Sequence, residues 1–327
     1  MKRHRRIKTV LLLVSLTLVN VQISLAQQQR KIPTVGWLAL RPRSSAAGIE
    51  LFRREIGKLG YIEGKNIAIQ YRSADNSLDR LPGMAEELVR MKVDVLVTPG
   101  PNETLAAKKT TRTIPIVFLG ESDPVRSGIV ESLAKPGGNV TGFSNISSTL
   151  VGKRLELLKE TVPKLSRAAI LWNPKSQGSE QSWNESQVAA RELGLQLYSM
   201  QISSADKYES AFKDAIKSGS TGILVQSIIT GTQRRIAEVA AKNRLPAIYV
   251  REDYVESGGL MSYGPDRLEP HSRAAIYVDK ILKGGKPTDL PVELASKFEL
   301  VINLEAAKQI GLTIPPNVLA RADRIIK

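Results

Sequence analysis

The sequence has no cysteine, two histidines, and only 5% aromatic residues among 327. The missing thiols exclude a disulfide framework, so the fold must rest on an apolar core of ordinary size. They also exclude lipid attachment at a cysteine. One histidine, His4, lies in a segment expected to be removed, which leaves His271 alone. A zinc site would then have only carboxylates to recruit, and no metal or other cofactor is expected. A Ser-His-Asp triad would need His271 as its base, yet no G-x-S-x-G elbow joins a strand to a helix. His271 is read as a surface or helix-face residue, and the chain is not expected to be an enzyme. Nucleotide signatures are missing as well. The loop after the first expected strand, Arg41-Pro42-Arg43-Ser44-Ser45, carries no glycine fingerprint. The stretch Gly60 to Asn66 has too few residues between its glycines for a P-loop and precedes a strand. It reads as a helix cap and turn.

Long apolar runs are scarce too. The one at the N-terminus, roughly residues 10–23, is diluted by Ser15, Thr17, Asn20 and Gln22, which makes it a poor membrane span. It follows Lys2, Arg3, Arg5, Arg6 and Lys8 and ends at Ser24-Leu25-Ala26. A basic segment, an apolar segment and a small-x-small site in that order predict a cleavable signal peptide over residues 1–26. A soluble periplasmic protein is expected. The net charge of +15 falls to +10 without that segment, from 42 basic against 32 acidic residues. The basic residues are scattered rather than clustered, so they read as a solvated surface and not as a nucleic-acid footprint.

What is present is a rhythm. From Ile32 onward short β-branched runs alternate with amphipathic stretches, beginning with a strand at residues 34–40 and a helix carrying Ile49, Phe52, Ile56 and Leu59 on one face. A break at Lys135-Pro136-Gly137-Gly138-Asn139 separates two such series. The alternation predicts α/β architecture with parallel sheets covered on both faces, in two doubly wound lobes. The later material, with a long helix over 268–282, is too short for a third domain and is expected to complete the first two.

In open parallel sheets, ligands bind at the carboxyl ends of the strands. The candidate site is therefore the set of polar loops found there. Ser44 and Ser45 follow the first strand, Asn102 the third, and Glu121 and Asp123 the fourth. Asn145 follows the break, and Asn173, Gln226 and Glu252 follow later strands. Glu121, Asp123 and Glu252 could receive an ammonium group, while Ser44, Ser45 and Asn102 with nearby backbone N–H groups could hold a carboxylate. Tyr263 could wall the cleft. Helix capping accounts equally well for any single member of the set. Arg41 and Arg43 face the presumed cleft, and Arg43 could pair with a carboxylate or phosphate or point into water.

Several ordered segments carry a family resemblance. They are Leu59-Gly60-Tyr61-Ile62-Glu63-Gly64-Lys65-Asn66, Asp123-Pro124-Val125, Lys135-Pro136-Gly137-Gly138-Asn139-Val140-Thr141-Gly142 and Gly258-Gly259-Leu260-Met261-Ser262-Tyr263-Gly264. Together they resemble the ABC-transporter substrate-binding family whose better-known members take aromatic amino acids such as tryptophan. The resemblance implies the type I periplasmic-binding-protein fold, with two lobes joined by three crossovers near 137–145, 262–265 and 288–297. The expected lobes are 33–145 with 265–290, and 146–264 with 291–327. It also implies a small-molecule ligand held in the interlobe cleft, an ABC permease in the inner membrane as partner, and a monomer. An alternative is a periplasmic ligand-sensing subunit for a signalling partner.

Overall fold

The computed structural model describes residues 32–42, 47–174, 179–226 and 231–327, with the side chain of Ser148 excepted. The expected signal segment and two of the candidate residues, Ser44 and Ser45, lie outside the described residues, as does Arg43.

Strand β1 (Thr34–Ala39) shows how the first sheet is built. Its residues alternate between faces, as the pleat requires. Val35, Trp37 and Ala39 pack with Ile49, Phe52 and Ile56 of helix α1 (Ala47–Lys58). Leu38 packs on the opposite face, with Leu81, Ala85 and Leu88 of helix α2 (Leu81–Arg90), which follows strand β2 (Ala68–Ser73). Between α1 and β2 the turn is held as the sequence suggests. Gly60 takes φ +90°, and the Asn66 side chain accepts from the Ile62 N–H and donates to the Gly60 carbonyl. Strand β3 (Val95–Thr98), helix α3 (Pro101–Thr110) and strands β4 (Ile116–Glu121) and β5 (Val140–Ser144) continue the series.

Helix α4 (Val151–Thr161) opens the second series. Strand β6 (Arg167–Trp172), helix α5 (Ser179–Glu192), strand β7 (Gln196–Gln201) and helix α6 (Tyr208–Lys217) follow. Next come strand β8 (Gly222–Val225), helix α7 (Gln233–Lys242) and strand β9 (Ala247–Tyr249). Here too one strand feeds two cores. Ala168, Ile170 and Trp172 pack with Leu155 and Leu158 of α4, while Ala169 and Leu171 pack with Tyr208, Phe212, Ile236 and Val239.

The remaining elements return to both sheets. A one-turn helix α8 (Glu252–Glu256), not anticipated from the sequence, precedes strand β10 (Met261–Pro265). Helix α9 (Glu269–Leu282) then lies on α1 and on β3 and β4. Strand β11 (Glu293–Leu294) pairs with β5. Strand β12 (Phe298–Asn303), helices α10 (Leu304–Gln309) and α11 (Pro316–Leu319), and strand β13 (Arg324–Ile326) end the chain.

The strand orders are β11-β5-β4-β3-β1-β2 and β13-β12-β10-β9-β8-β6-β7. The first sheet is wholly parallel, and in the second only the β10–β12 pair is antiparallel. Within each sheet the order 2-1-3-4-5 repeats, the doubly wound pattern of the type I periplasmic binding fold. The chain passes between sheets three times, after β5, after β10 and after β11. The first sheet thus extends to Leu294, beyond the 290/291 division drawn from the sequence.

His271 lies on a helix face, one of the two readings the sequence allowed, but that face is turned inward rather than to the surface. It is partly buried in α9, its ring stacks on Trp37 at 5.9 Å between centroids, and its Nδ1 lies 2.9 Å from the Arg267 carbonyl. Burial pulls its pKa down to about 4.

Candidate functional site

In a 2-1-3-4-5 sheet the winding reverses between the first and third strands, and the loops there diverge to leave a crevice. The first sheet has this switch point between β1 and β3, the second between β6 and β8. Arg41 follows β1, and Glu103 lies in the first turn of α3, after β3. Asn173 follows β6, and Gln226 follows β8. The carboxyl edges of the two sheets face one another. The Arg41 guanidinium in one lobe lies 3.9 Å from the Asp253 carboxylate in the other.

The first switch point is braced from within. Glu103 is buried and its Oε1 accepts the Leu40 N–H at 3.0 Å, tying α3 to the end of β1. Burial pushes this carboxyl up. The Arg41 carbonyl accepts from the Tyr71 hydroxyl at 3.0 Å and from the Ser73 hydroxyl at 2.9 Å. The main chain at Arg41 is therefore fixed while its side chain reaches across the cleft.

The facing edge is charged. Arg251 grips Asp253 with two nitrogens, Nε to Oδ1 at 3.1 Å and Nη2 to Oδ2 at 2.8 Å. Arg267, which follows β10 on the way back to the first lobe, donates to Glu252 Oε1 at 3.2 Å and stands 3.8 Å from Asp253. Burial alone would raise the Asp253 carboxyl, but Arg251, and then Arg267 and Arg41, hold it below the ordinary carboxylate range. Glu252 is pushed up by burial against the pull of Arg267.

The sequence candidates fall into distinct environments. Glu121 is buried at the end of β4, where Oε1 accepts the Ser122 N–H at 3.2 Å. Its Oε2 has no partner among the described residues. Burial pushes this carboxyl up as well. Its position depends on Gly142, whose φ of +153° accompanies the register shift between β4 and β5 that sets Glu121 opposite Ser144. Gln226 is buried, and its Oε1 is likewise without a described partner. Asn145 holds the first crossover, its Nδ2 donating to the Gly120 carbonyl and its Oδ1 accepting from the Ser147 N–H. Asp123 caps its own turn through the Arg126 N–H. Asn102 is exposed in the first turn of α3, and Asn173 is half-buried after β6. Tyr263 sits mid-strand in β10, opposite Leu300, with its ring 6.4 Å from Phe298. The structure thus brings Glu252 into one interlobe cluster with Arg41, Arg251, Asp253 and Arg267. Asp253 and Arg267 escaped the sequence reading. The available signal was opposite charges within strand-end loops, Arg251-Glu252-Asp253 above all.

The family profile of ABC transporter substrate binding proteins matches residues 50–326. The chain belongs to this family. The tyrosine-binding protein of Clostridioides difficile is 28% identical over 264 residues, which cover 80% of this chain and 75% of that protein. A conserved domain protein of Vibrio cholerae is similar in structure, with a TM-score of 0.80, 29% identity, and coverage of 90% of this chain and 100% of the other. The Streptococcus ABC domain solved in complex with L-Trp has a TM-score of 0.78 at 24% identity, covering 90% and 99% of the two chains, and shares the fold. Among the described residues no helix is long and apolar enough to cross a membrane.

Proposed function

We propose that this protein is an exported receptor that captures a small amino-acid-like solute between its lobes and presents it to an ABC permease in the inner membrane. The observation that carries the reading is the buried Glu121 carboxylate at the carboxyl end of β4, one oxygen of which has no hydrogen-bond partner among the described residues. A buried acceptor of this kind is costly alone and favourable once a charged donor meets it. An ammonium group is such a donor, and the buried Oε1 of Gln226 offers a neutral acceptor on the second lobe. Ligand contacting both lobes favours the closed arrangement by its differential affinity for it. Asn102, Asn173 and Tyr263 are proposed to line the same cleft, with Asp123 and Asn145 shaping its edge. Ser44 and Ser45 are kept as proposed contacts. The tyrosine-binding relative and the L-Trp complex support an aromatic amino acid as the first solute to test.

The test is mass spectrometry of solute released by denaturing the purified protein, joined to calorimetry with the twenty amino acids. Recovery of an amine-bearing acid and its saturable rebinding are the expected results. A folded protein that releases nothing and binds none of the twenty refutes the reading.

A further inference from the structure

The interlobe charge cluster is unevenly matched. Three guanidiniums, Arg41, Arg251 and Arg267, meet two carboxylates, Asp253 and Glu252. Both carboxylates are already engaged at hydrogen-bond distance. Asp253 takes the paired nitrogens of Arg251 at 2.8 and 3.1 Å, and Glu252 takes Arg267 at 3.2 Å. Glu103, the acid of the same lobe whose charge acts on Arg41, directs its Oε1 to the Leu40 N–H. The Arg41 guanidinium is left with Asp253 at 3.9 Å as its nearest carboxylate among the described residues, beyond hydrogen-bond reach. Its side chain is 38% exposed, so the fork of donors is open to the cleft. It stands at the end of β1, at the switch point where a ligand in a sheet of this winding is expected.

We infer that Arg41 receives the carboxylate of the bound solute, which makes the ligand class a zwitterion or monoanion bearing a free carboxylate. This assignment rests on the amino-acid-like reading above and replaces the serine and asparagine side chains expected to hold that group. A planar guanidinium matches a carboxylate with two parallel hydrogen bonds, and its weak hydration makes it well suited to a partly buried site. An arriving carboxylate also balances the third positive charge of the cluster. Glu121, at the end of β4 two strands away in the same sheet, then faces the opposite pole of the zwitterion.

The deciding experiment is calorimetric titration of the full chain, wild type, Arg41→Gln and Arg41→Lys, with L-tryptophan and L-tyrosine and with tryptamine and tyramine, which lack the carboxylate. The wild type is expected to prefer the acids to the amines by about 10- to 100-fold, the usual worth of charged hydrogen bonds. Arg41→Gln is expected to lose that preference while binding the amines as before, and Arg41→Lys to keep part of it. Circular dichroism and thermal melting of each variant confirm that it is folded. Equal weakening for acids and amines would mean that Arg41 merely latches the lobes together, and would overturn the assignment. So would wild-type binding of the amines alone, or unchanged affinity of Arg41→Gln for the acids, and both leave the solute-receptor reading intact. If the folded wild type binds none of the four but takes another of the twenty amino acids, the same comparison is made with that acid and its decarboxylated amine. Binding none of the twenty refutes the amino-acid reading, and the Arg41 assignment falls with it.

Discussion

The guanidinium of Arg154 donates through Nε to the main-chain carbonyl of Tyr263 at 2.7 Å. The same group donates to the Ser147 carbonyl at 2.8 Å and to the Ser147 hydroxyl at 3.0 Å. Arg154 is 1% exposed and has no carboxylate within salt-bridge distance among the described residues; burial brings its pKa down to about 9. One buried cation in α4 thus ties the chain entering the second lobe to the strand that precedes its exit. Arg154→Met removes these hydrogen bonds and leaves the Tyr263 and Ser147 carbonyls without this donor. A loss of about 2–4 kcal/mol of stability is expected, partly offset by removal of the buried charge. Urea unfolding measures it, and an unchanged midpoint would show that the clamp contributes nothing. Arg154→Lys, a point charge without the fork, should recover only part of the loss.

Glu121→Gln keeps the shape of the side chain and removes its charge. Affinity for an amine-bearing solute is expected to fall about 10-fold or more in calorimetry. Thermal stability should hold or rise, because a buried carboxylate is replaced by a neutral amide. A parallel fall in both quantities would mark Glu121 as structural.

A Cβ on Gly142 would collide with the main chain of Phe118, and its φ of +153° is one that L side chains rarely adopt. Gly142→Ala should therefore cost on the order of 3 kcal/mol, from strain and overpacking together. Because the bulge also positions Glu121, affinity should fall as well. A soluble Gly142→Ala protein with wild-type melting would contradict this account.

His271 gives a pH signature. Its folded pKa of about 4 lies below the ordinary value of 6.5, so between these values the unfolded chain binds more protons than the folded one. Stability must then rise with pH across that window and fall as the solution is acidified from 6.5 toward 4. The full effect is about 3 kcal/mol. Replacing His271 with Leu should remove this part of the acid sensitivity. Melting temperatures of the two proteins from pH 4 to pH 7 provide the comparison, and parallel curves would refute the assignment.

Much of the architecture was legible because local rules and global fold agree. The apolar face of Ile49, Phe52 and Ile56 and the Gly60–Asn66 turn act in the structure as the sequence suggests, whereas the break at Gly137–Asn139 does not divide the two series, because β5 follows it within the first sheet. The shortest elements were not legible. Strand β11, two residues long, exists because it can pair with β5, a partner some 150 positions earlier. No local pattern reports such a partner. The same limit applies at the site. The sequence reveals which loops follow the strands, and Glu121, Gln226 and Glu252 stand at or just beyond the carboxyl ends of β4, β8 and β9. It does not reveal that Asp253 is spent on Arg251 and so leaves Arg41 without a carboxylate at hydrogen-bond distance among the described residues, because that balance depends on distances between residues over 200 positions apart. The inward packing of His271 was not legible for a related reason. Its stack on Trp37 joins the two ends of the first lobe.

The contribution of α9 and β11 to the first sheet has a consequence for how the chain can be divided. A fragment ending at Pro265 would hold β1 to β5 yet lack the helix that covers Trp37, Phe52 and Phe143. The apolar face so exposed would make it prone to aggregate. The two lobes are intertwined along the chain, and neither can be made by cutting it once. Their folding is expected to be a single late event, completed only after the distant segment from Glu269 to Leu294 has emerged, with the slow kinetics of long-range closure.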